Sequence, residues 1–256
     1  MTAHPIMFTV DVEGDWGGRE TRALREVLPR FLELLECHGA TATFFVVGEL
    51  VSQVRAGLAP DGLHEVGSHG LTHTVLTGLT PEALAFEVEE SKRVLEAEGY
   101  RVAGFRAPYF KSPRDLPRLL ARAGYQYDAS AGSIYPDPRR RRPGPRSWNT
   151  EPAIGRVSTG TLRDGVTPFS LTYLRLYDPL GLHLVSPRAE LFYCHLHELL
   201  ETSDGWQRIP RPLRRLHQRN SGARAWRILE DLMERFGSRF VSCREYFEAL
   251  ALGSAA

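Results

Sequence analysis

The sequence predicts an α/β protein built on a parallel sheet, closed as a barrel or left open. Three observations carry that expectation. Short apolar, β-branched runs alternate with stretches of helical periodicity through most of the 256 residues, as they do where helices cover a parallel sheet. The length and the 42% hydrophobic content suit one large domain, taken as residues 1–256, with a sizeable core. Charged and imidazole side chains recur where the strands end, the edge at which parallel α/β proteins gather their active sites.

IMFTVDV (6–12) is short, apolar and β-branched, and reads as a buried strand. TRALREVLPRFLELLECHG follows as a helix, with Leu24, Val27, Leu28, Phe31, Leu32 and Leu35 at helical spacing and Gly39 as its stop. ATATFFVVG (40–48) and LHEVGSH (63–69) are the second and third strands. The helix TPEALAFEVEESKRVLEAEG takes Thr80 as N-cap and Pro81 as its first helical residue, and leaves at Gly99. VAGFRAP (102–108) is the fourth strand. SPRDLPRLLARAGY is a helix in which Ser112 and Asp115 are spaced as a capping box. YQYDAS (125–130) is the fifth strand, and 131–150 is a Pro- and Arg-rich loop. GRVSTG, AELFYCHLH (189–197) and RFVSC are further strands, with the helix ARAWRILEDLMERFG before the last.

Composition excludes several classes. Thirty-two Lys and Arg stand against 31 Asp and Glu, so a dedicated nucleic-acid binder, which would be strongly basic, is not expected. No run of 18 apolar residues is present, so no membrane span is expected. The beginning, MTAHPIMFTVDVEGDW, lacks signal-peptide features. Cys37, Cys194 and Cys243 are odd in number and far apart. Together these point to a reduced, cytoplasmic protein, peripheral at the inner membrane face if it meets lipid at all. Basic charge concentrates in RRRRPGPR (139–146) and RIPRPLRRLHQR (208–219). Arg139–Arg142 are a candidate contact for anionic lipid or phosphate; a solvated loop is the plainer reading.

The strand ends supply the chemistry. The first ends in Asp11, Glu13 and Asp15, the third in His69 and His73, and the fourth in Arg106, Pro108 and Tyr109. The fifth ends in Asp128, and a late one in His195 and His197. In SHGLTH (68–73) two histidines stand four apart and could grip one ion from a helix or from a strand entering a turn. Asp11 and Glu13 share a strand face, while Val12 points into the core. An acid inside an apolar strand is costly without a partner, and the fork of Arg106 suits a carboxylate.

The pieces FTVDVEGDW, ATFFVVG, HEVGSHGLTH, GFRAPYF, YDAS and FYCHLHE, in this order over residues 8 to 198, resemble the polysaccharide deacetylases of the NodB type, carbohydrate esterase family 4. The resemblance implies an irregular (β/α) barrel of about seven parallel strands. It implies a metal-dependent hydrolase that removes an acyl group, acetyl first, from N-acylated amino sugars. His69 and His73 resemble the paired metal ligands, with Glu13 as the third ligand and Asp15 as its competitor. The ion expected is zinc, with cobalt, nickel or manganese as alternatives. Asp11 resembles the general base and Arg106 its partner; the Tyr109 N–H resembles the oxyanion donor. His195 resembles the general acid, with His197 as runner-up, and Asp128 stands where an acid tunes that histidine. The usual Trp of that last motif is missing. Trp16, Trp148 and Tyr109 are candidate sugar-site aromatics. A lipid-linked or nucleotide-linked sugar precursor would suit a cytoplasmic deacetylase. A cyclic imide or ureide hydrolase, or a non-catalytic sugar-binding barrel, are the alternatives.

Overall fold

Strand β1 (Ile6–Val12) runs between β2 (Thr43–Val46) and β7 (Leu191–His195) in a computed structural model that describes residues 4–132, 134, 154–186 and 189–253. Beyond β2 follow β3 (Glu65–Ser68), β4 (Gly104–Phe105), β5 (Tyr127–Ala131) and β6 (Gly155–Ser158). The order is β6-β5-β4-β3-β2-β1-β7, and every pairing in it is parallel. An eighth strand, β8 (Phe240–Val241), pairs with the start of β1. Between β6 and β7 the sheet is bridged by an irregular segment: Gly160 N donates to Leu191 O at 3.1 Å and Tyr193 N to Phe169 O at 3.3 Å. The architecture is the α/β, curled parallel barrel expected from the sequence.

Alternation along β1 sorts its side chains between two cores. Ile6, Phe8, Val10 and Val12 face outward and pack with Phe31, Phe44, Phe192 and Phe240 under the helices. Met7 faces inward with Phe45, Tyr127, Leu191, Tyr193 and Cys243. Thr9 and Asp11 share that inward face. Burial on both faces is why β1 reads as an unbroken apolar run. Each wholly buried side chain such as Phe8 contributes about 1.5–3 kcal/mol of transfer free energy.

Helix boundaries follow proline and glycine. The stretch expected as one helix breaks at Val27 into α1 (Arg22–Glu26) and α2 (Leu28–Cys37). Pro29, with no N–H to give to Arg25, fits the first turn of a new helix and not the middle of an old one. After α3 (Val51–Val54), helix α4 (Pro81–Ala97) starts as expected, with Thr80 Oγ1 accepting from Ala83 N. Helix α5 (Leu116–Arg122) starts three residues later than a Ser112 cap would require, and Asp115 caps nothing with its side chain. Ser112 Oγ is buried without a hydrogen-bond partner, so the expected capping box does not form. A helix starting at Pro113 would place Pro117 in its interior, which Pro117 forbids.

Helices α6 (Leu171–Leu176), α7 (Arg211–Gln218) and α9 (Cys243–Gly253) were not read from the sequence, whereas α8 (Ala223–Phe236) was. Helix α9 closes the barrel at the amino ends of the strands, where Cys243 and Tyr246 join the inner core. That leaves the carboxyl ends as the open mouth. Among the described residues no helix is long and apolar enough to cross a membrane. Cys37 is exposed, and Cys194 and Cys243 are buried, all as free thiols.

Candidate active site

The innermost group at the mouth is a buried ion pair. Asp11 is 2% exposed and Arg106 is fully buried. One guanidinium nitrogen of Arg106 lies 2.6 Å from Asp11 Oδ1, another donates to Thr9 Oγ1 at 3.0 Å, and Nε donates to Ala129 O. The guanidinium lies over the Phe45 ring at 4.2 Å. Burial pushes the Asp11 pKa up, but Arg106, His69 and His195 outweigh it and hold the carboxyl below its ordinary value. Asp11 is therefore ionised and aimed by a rigid fork.

Just past the end of β1, Glu13 meets the two histidines that follow β3. Glu13 Oε2 is 2.5 Å from His73 Nε2 and 3.7 Å from His69 Nε2. One donor atom from each of the three residues falls within 4.8 Å of the other two. His69 Nδ1 lies 2.8 Å from the Arg106 carbonyl. A carbonyl only accepts, so Nδ1 is the donor there and Nε2 is the ring nitrogen turned to Glu13. HGLTH is a turn, with left-handed backbone at Gly70 (φ 77) and His73 (φ 64). Glu87 of α4 fastens it, accepting from Leu71 N at 2.9 Å, Thr72 N at 3.1 Å and Thr72 Oγ1 at 2.6 Å.

A divalent cation fits these donors. His73 Nε2 is buried and makes no directed hydrogen bond although a carboxylate stands beside it. Two imidazoles and a carboxylate form a donor set that zinc accepts. Burial raises the Glu13 pKa, yet His73 and His69 outweigh it and hold the carboxyl well below its ordinary value. Asp15, the competitor, is engaged elsewhere: it is buried and accepts from Arg22 N at 2.9 Å and Ala23 N at 3.3 Å at the start of α1.

Tyr109 sits on the rim in a left-handed conformation (φ 57), its ring 4.8 Å from that of His73. The backbone bonds of its turn are donated by Phe110 N and Lys111 N, which leaves the Tyr109 N–H outside them.

Strand β7 brings His195 directly beside Asp11, with His195 Nε2 3.8 Å from Asp11 Oδ2. Burial works against its charge, but the Glu198 contact and the carboxylates of Glu13 and Asp11 win and lift its pKa to about 9. His197 stacks on His195 at 4.9 Å and lies against Trp16 at 4.4 Å. Burial, together with the neighbouring His195, pushes the His197 pKa down to about 3. One ring is thus primed to carry a proton and the other to stay neutral.

Asp128 was expected to tune this histidine. The structure gives it other partners: Oδ1 accepts from Ser130 N at 2.8 Å, and Arg156 Nε lies 4.0 Å from Oδ2. The carboxylate at His195 Nδ1 is Glu198, 3.2 Å away. Sequence reasoning missed Glu198, although it closes the FYCHLHE stretch and stands three residues after His195, the spacing of a capping box. Trp16 packs with Trp206 and His217 as well as His197. Trp148 and Arg139–Arg142 lie outside the described residues.

Residues 2–127 match the family model described as polysaccharide deacetylase. A chitooligosaccharide deacetylase from Rhizobium leguminosarum bv. phaseoli is 34% identical over 86 residues, 32% of this chain and 38% of that protein. A peptidoglycan-N-acetylglucosamine deacetylase, PgdA, from Listeria monocytogenes is 36% identical over 87 residues, 32% of this chain and 18% of that protein. The matched stretches thus span well under half the length of these relatives. A CE4 family pseudoenzyme from Bacillus anthracis superposes with a TM-score of 0.58 at 14% identity, over 96% of this chain and 66% of that one. Peptidoglycan deacetylase PdaC from Bacillus subtilis gives 0.55 at 12% identity, over 99% of this chain and 95% of that one. At such identities these two structures speak for the fold alone. Over residues 2–127 the sequence is thus that of the polysaccharide deacetylase family model, and the fold is shared with the carbohydrate esterase family 4 structures.

Proposed function

We propose that this protein is a metal-dependent carbohydrate N-deacetylase that releases acetate from N-acetylated amino sugars in a glycan. The observation that carries the reading is the convergence of Glu13, His69 and His73 within 4.8 Å beside the Asp11–Arg106 pair. A divalent cation held by Glu13, His69 and His73, zinc by donor type, would supply Lewis-acid polarisation and an acidified water. Asp11, kept ionised by Arg106, takes a proton from the attacking water. The Tyr109 N–H faces the oxygen that gains charge as the carbonyl carbon becomes tetrahedral. His195 Nε2 gives a proton to the departing amine. His197, pushed down to about 3, is a neutral wall against Trp16 and not the proton donor.

Acetylated glucosamine polymers are the substrate class, because the named relatives are a chitooligosaccharide deacetylase and a peptidoglycan-N-acetylglucosamine deacetylase. The pseudoenzyme neighbour shares the fold, and a non-catalytic barrel is therefore the reading to exclude. Acetate release from N-acetylglucosamine oligomers by the purified protein decides between them. Release that stops with chelator and returns with zinc is expected. No release from any acylated amine, with metal present, overturns the proposal.

A further inference from the structure

His195 is held by a carboxylate that the proposed reaction has not yet used. Glu198 follows where β7 runs into a short 3-10 turn, Leu196–Leu199. Its Oε1 accepts from His195 N at 3.1 Å and stands 3.2 Å from His195 Nδ1. Its Oε2 accepts from Arg175 at 3.0 Å and from Thr172 Oγ1 at 2.8 Å, both on α6. Arg175 is fully buried and is itself fastened to the carbonyl oxygens of His217 and Arg219.

This arrangement does more than start a turn. A capping box accounts for the Glu198 contact to His195 N and for the Glu198 N–H facing the His195 ring, but not for a carboxylate oxygen beside Nδ1. The carboxylate oxygen 3.2 Å from Nδ1 only accepts, so it favours a proton on that nitrogen and Nε2 facing Asp11. Thr172 and Arg175 leave the carboxylate little freedom to swing away. Asp128, to which the resemblance gives this task, has its Oδ1 on Ser130 N.

Resting on the deacetylase reading above, we infer that Glu198, braced by Arg175, is the positioning residue of the His195 acid in this chain, in place of Asp128. In the step it serves, the C–N bond of the tetrahedral adduct breaks and its electron pair goes to nitrogen. The Nε2 proton passes to that nitrogen, the carbonyl re-forms as a carboxylic acid, and His195 is left neutral with Nδ1–H on Glu198.

The test compares Glu198→Gln with wild type on an N-acetylglucosamine oligomer and on an aryl acetate, whose leaving group needs no proton. Expected is a 10- to 100-fold fall in kcat on the amide with KM unchanged, part of the roughly 10²–10⁴ that a general acid contributes. The aryl ester should lose less than about threefold. Equal losses on both substrates, or no loss on the amide, overturn the inference. Because Glu198→Gln leaves Arg175 buried without its partner, the double variant Glu198→Gln/Arg175→Met is measured alongside, with the same expectation. A readout without turnover separates the two proposals. In ¹⁵N spectra of the wild-type histidines, with His195 assigned through His195→Gln, the neutral ring should carry its proton on Nδ1. A ring protonated on Nε2 with bare Nδ1 sinks the Glu198 role whatever the activity. Absence of acetate release with an Nδ1–H ring sinks the deacetylase reading alone.

Discussion

Asp11 and Arg106 show how much a single buried pair decides. Neither charge tolerates this depth alone, and each supplies what the other needs. Arg106→Leu is expected to destabilise the fold by roughly 3–5 kcal/mol, because Asp11 is left charged and unpaired; urea unfolding checks this, and a loss under about 1 kcal/mol would contradict it. Glu198 gives a prediction with a defined pH window. Its carboxyl ordinarily titrates near 4.5 and is held down to about 2: burial opposes this, but His195 and Arg175 outweigh it. A depressed carboxylate stabilises the fold fully above 4.5, and that contribution disappears as pH falls through about 2. The stability gap between wild type and Glu198→Gln should therefore narrow as pH drops below 4.5, by on the order of 3 kcal/mol in full. A gap that stays constant down to pH 3 would rule this out.

At the scale of elements, strand ends and turns place the chemistry, and helices fasten the turns. The 69–73 turn is held by Glu87 through three hydrogen bonds. Calorimetric titration of Glu87→Gln should find zinc affinity weakened by about 10- to 100-fold with the fold intact, as for other supports behind a metal site. Inside the barrel, space is equally specified. A Cβ on Gly104 would lie 2.1 Å from the Tyr127 ring, so Gly104→Ala should cost about 1–3 kcal/mol of overpacking, read as a lowered Tm. The strands were legible because apolar β-branched runs bounded by polar turns have few other readings. Helix α6 was less so, since its six residues carry little periodicity of their own, and the segment of α7 stood out only for its basic charge. The break at Val27 and the late start of α5 were both readable from Pro29 and Pro117, had the position of each proline within its helix been weighed.

For the molecule as a whole, the order of strands converts distant sequence into one site. Asp11 and His195 are 184 positions apart and become neighbours through the β1–β7 pairing. Glu13, His69, His73 and Arg106 stood out in the sequence as charged or imidazole groups at strand ends, whereas the choice of Glu13 over Asp15, and the Tyr109 N–H, came from the family resemblance. Glu198 did not stand out, because its spacing after His195 marks only a helix cap and its contact with the His195 ring emerges only in the fold. Likewise, Asp15 and Asp128 have the right residue type and sequence position; Asp15 is taken up by the N–H groups of Arg22 and Ala23, and Asp128 has Oδ1 on Ser130 N with Arg156 4.0 Å from Oδ2. The central claim is that Glu13, His69 and His73 hold one divalent cation. Zinc titration of metal-free wild type, Glu13→Gln and His73→Ala by calorimetry tests it most directly. One ion per chain, with binding lost or weakened at least 100-fold in both variants, is the expected result; no binding by the wild type, or undiminished binding by the variants, would contradict it.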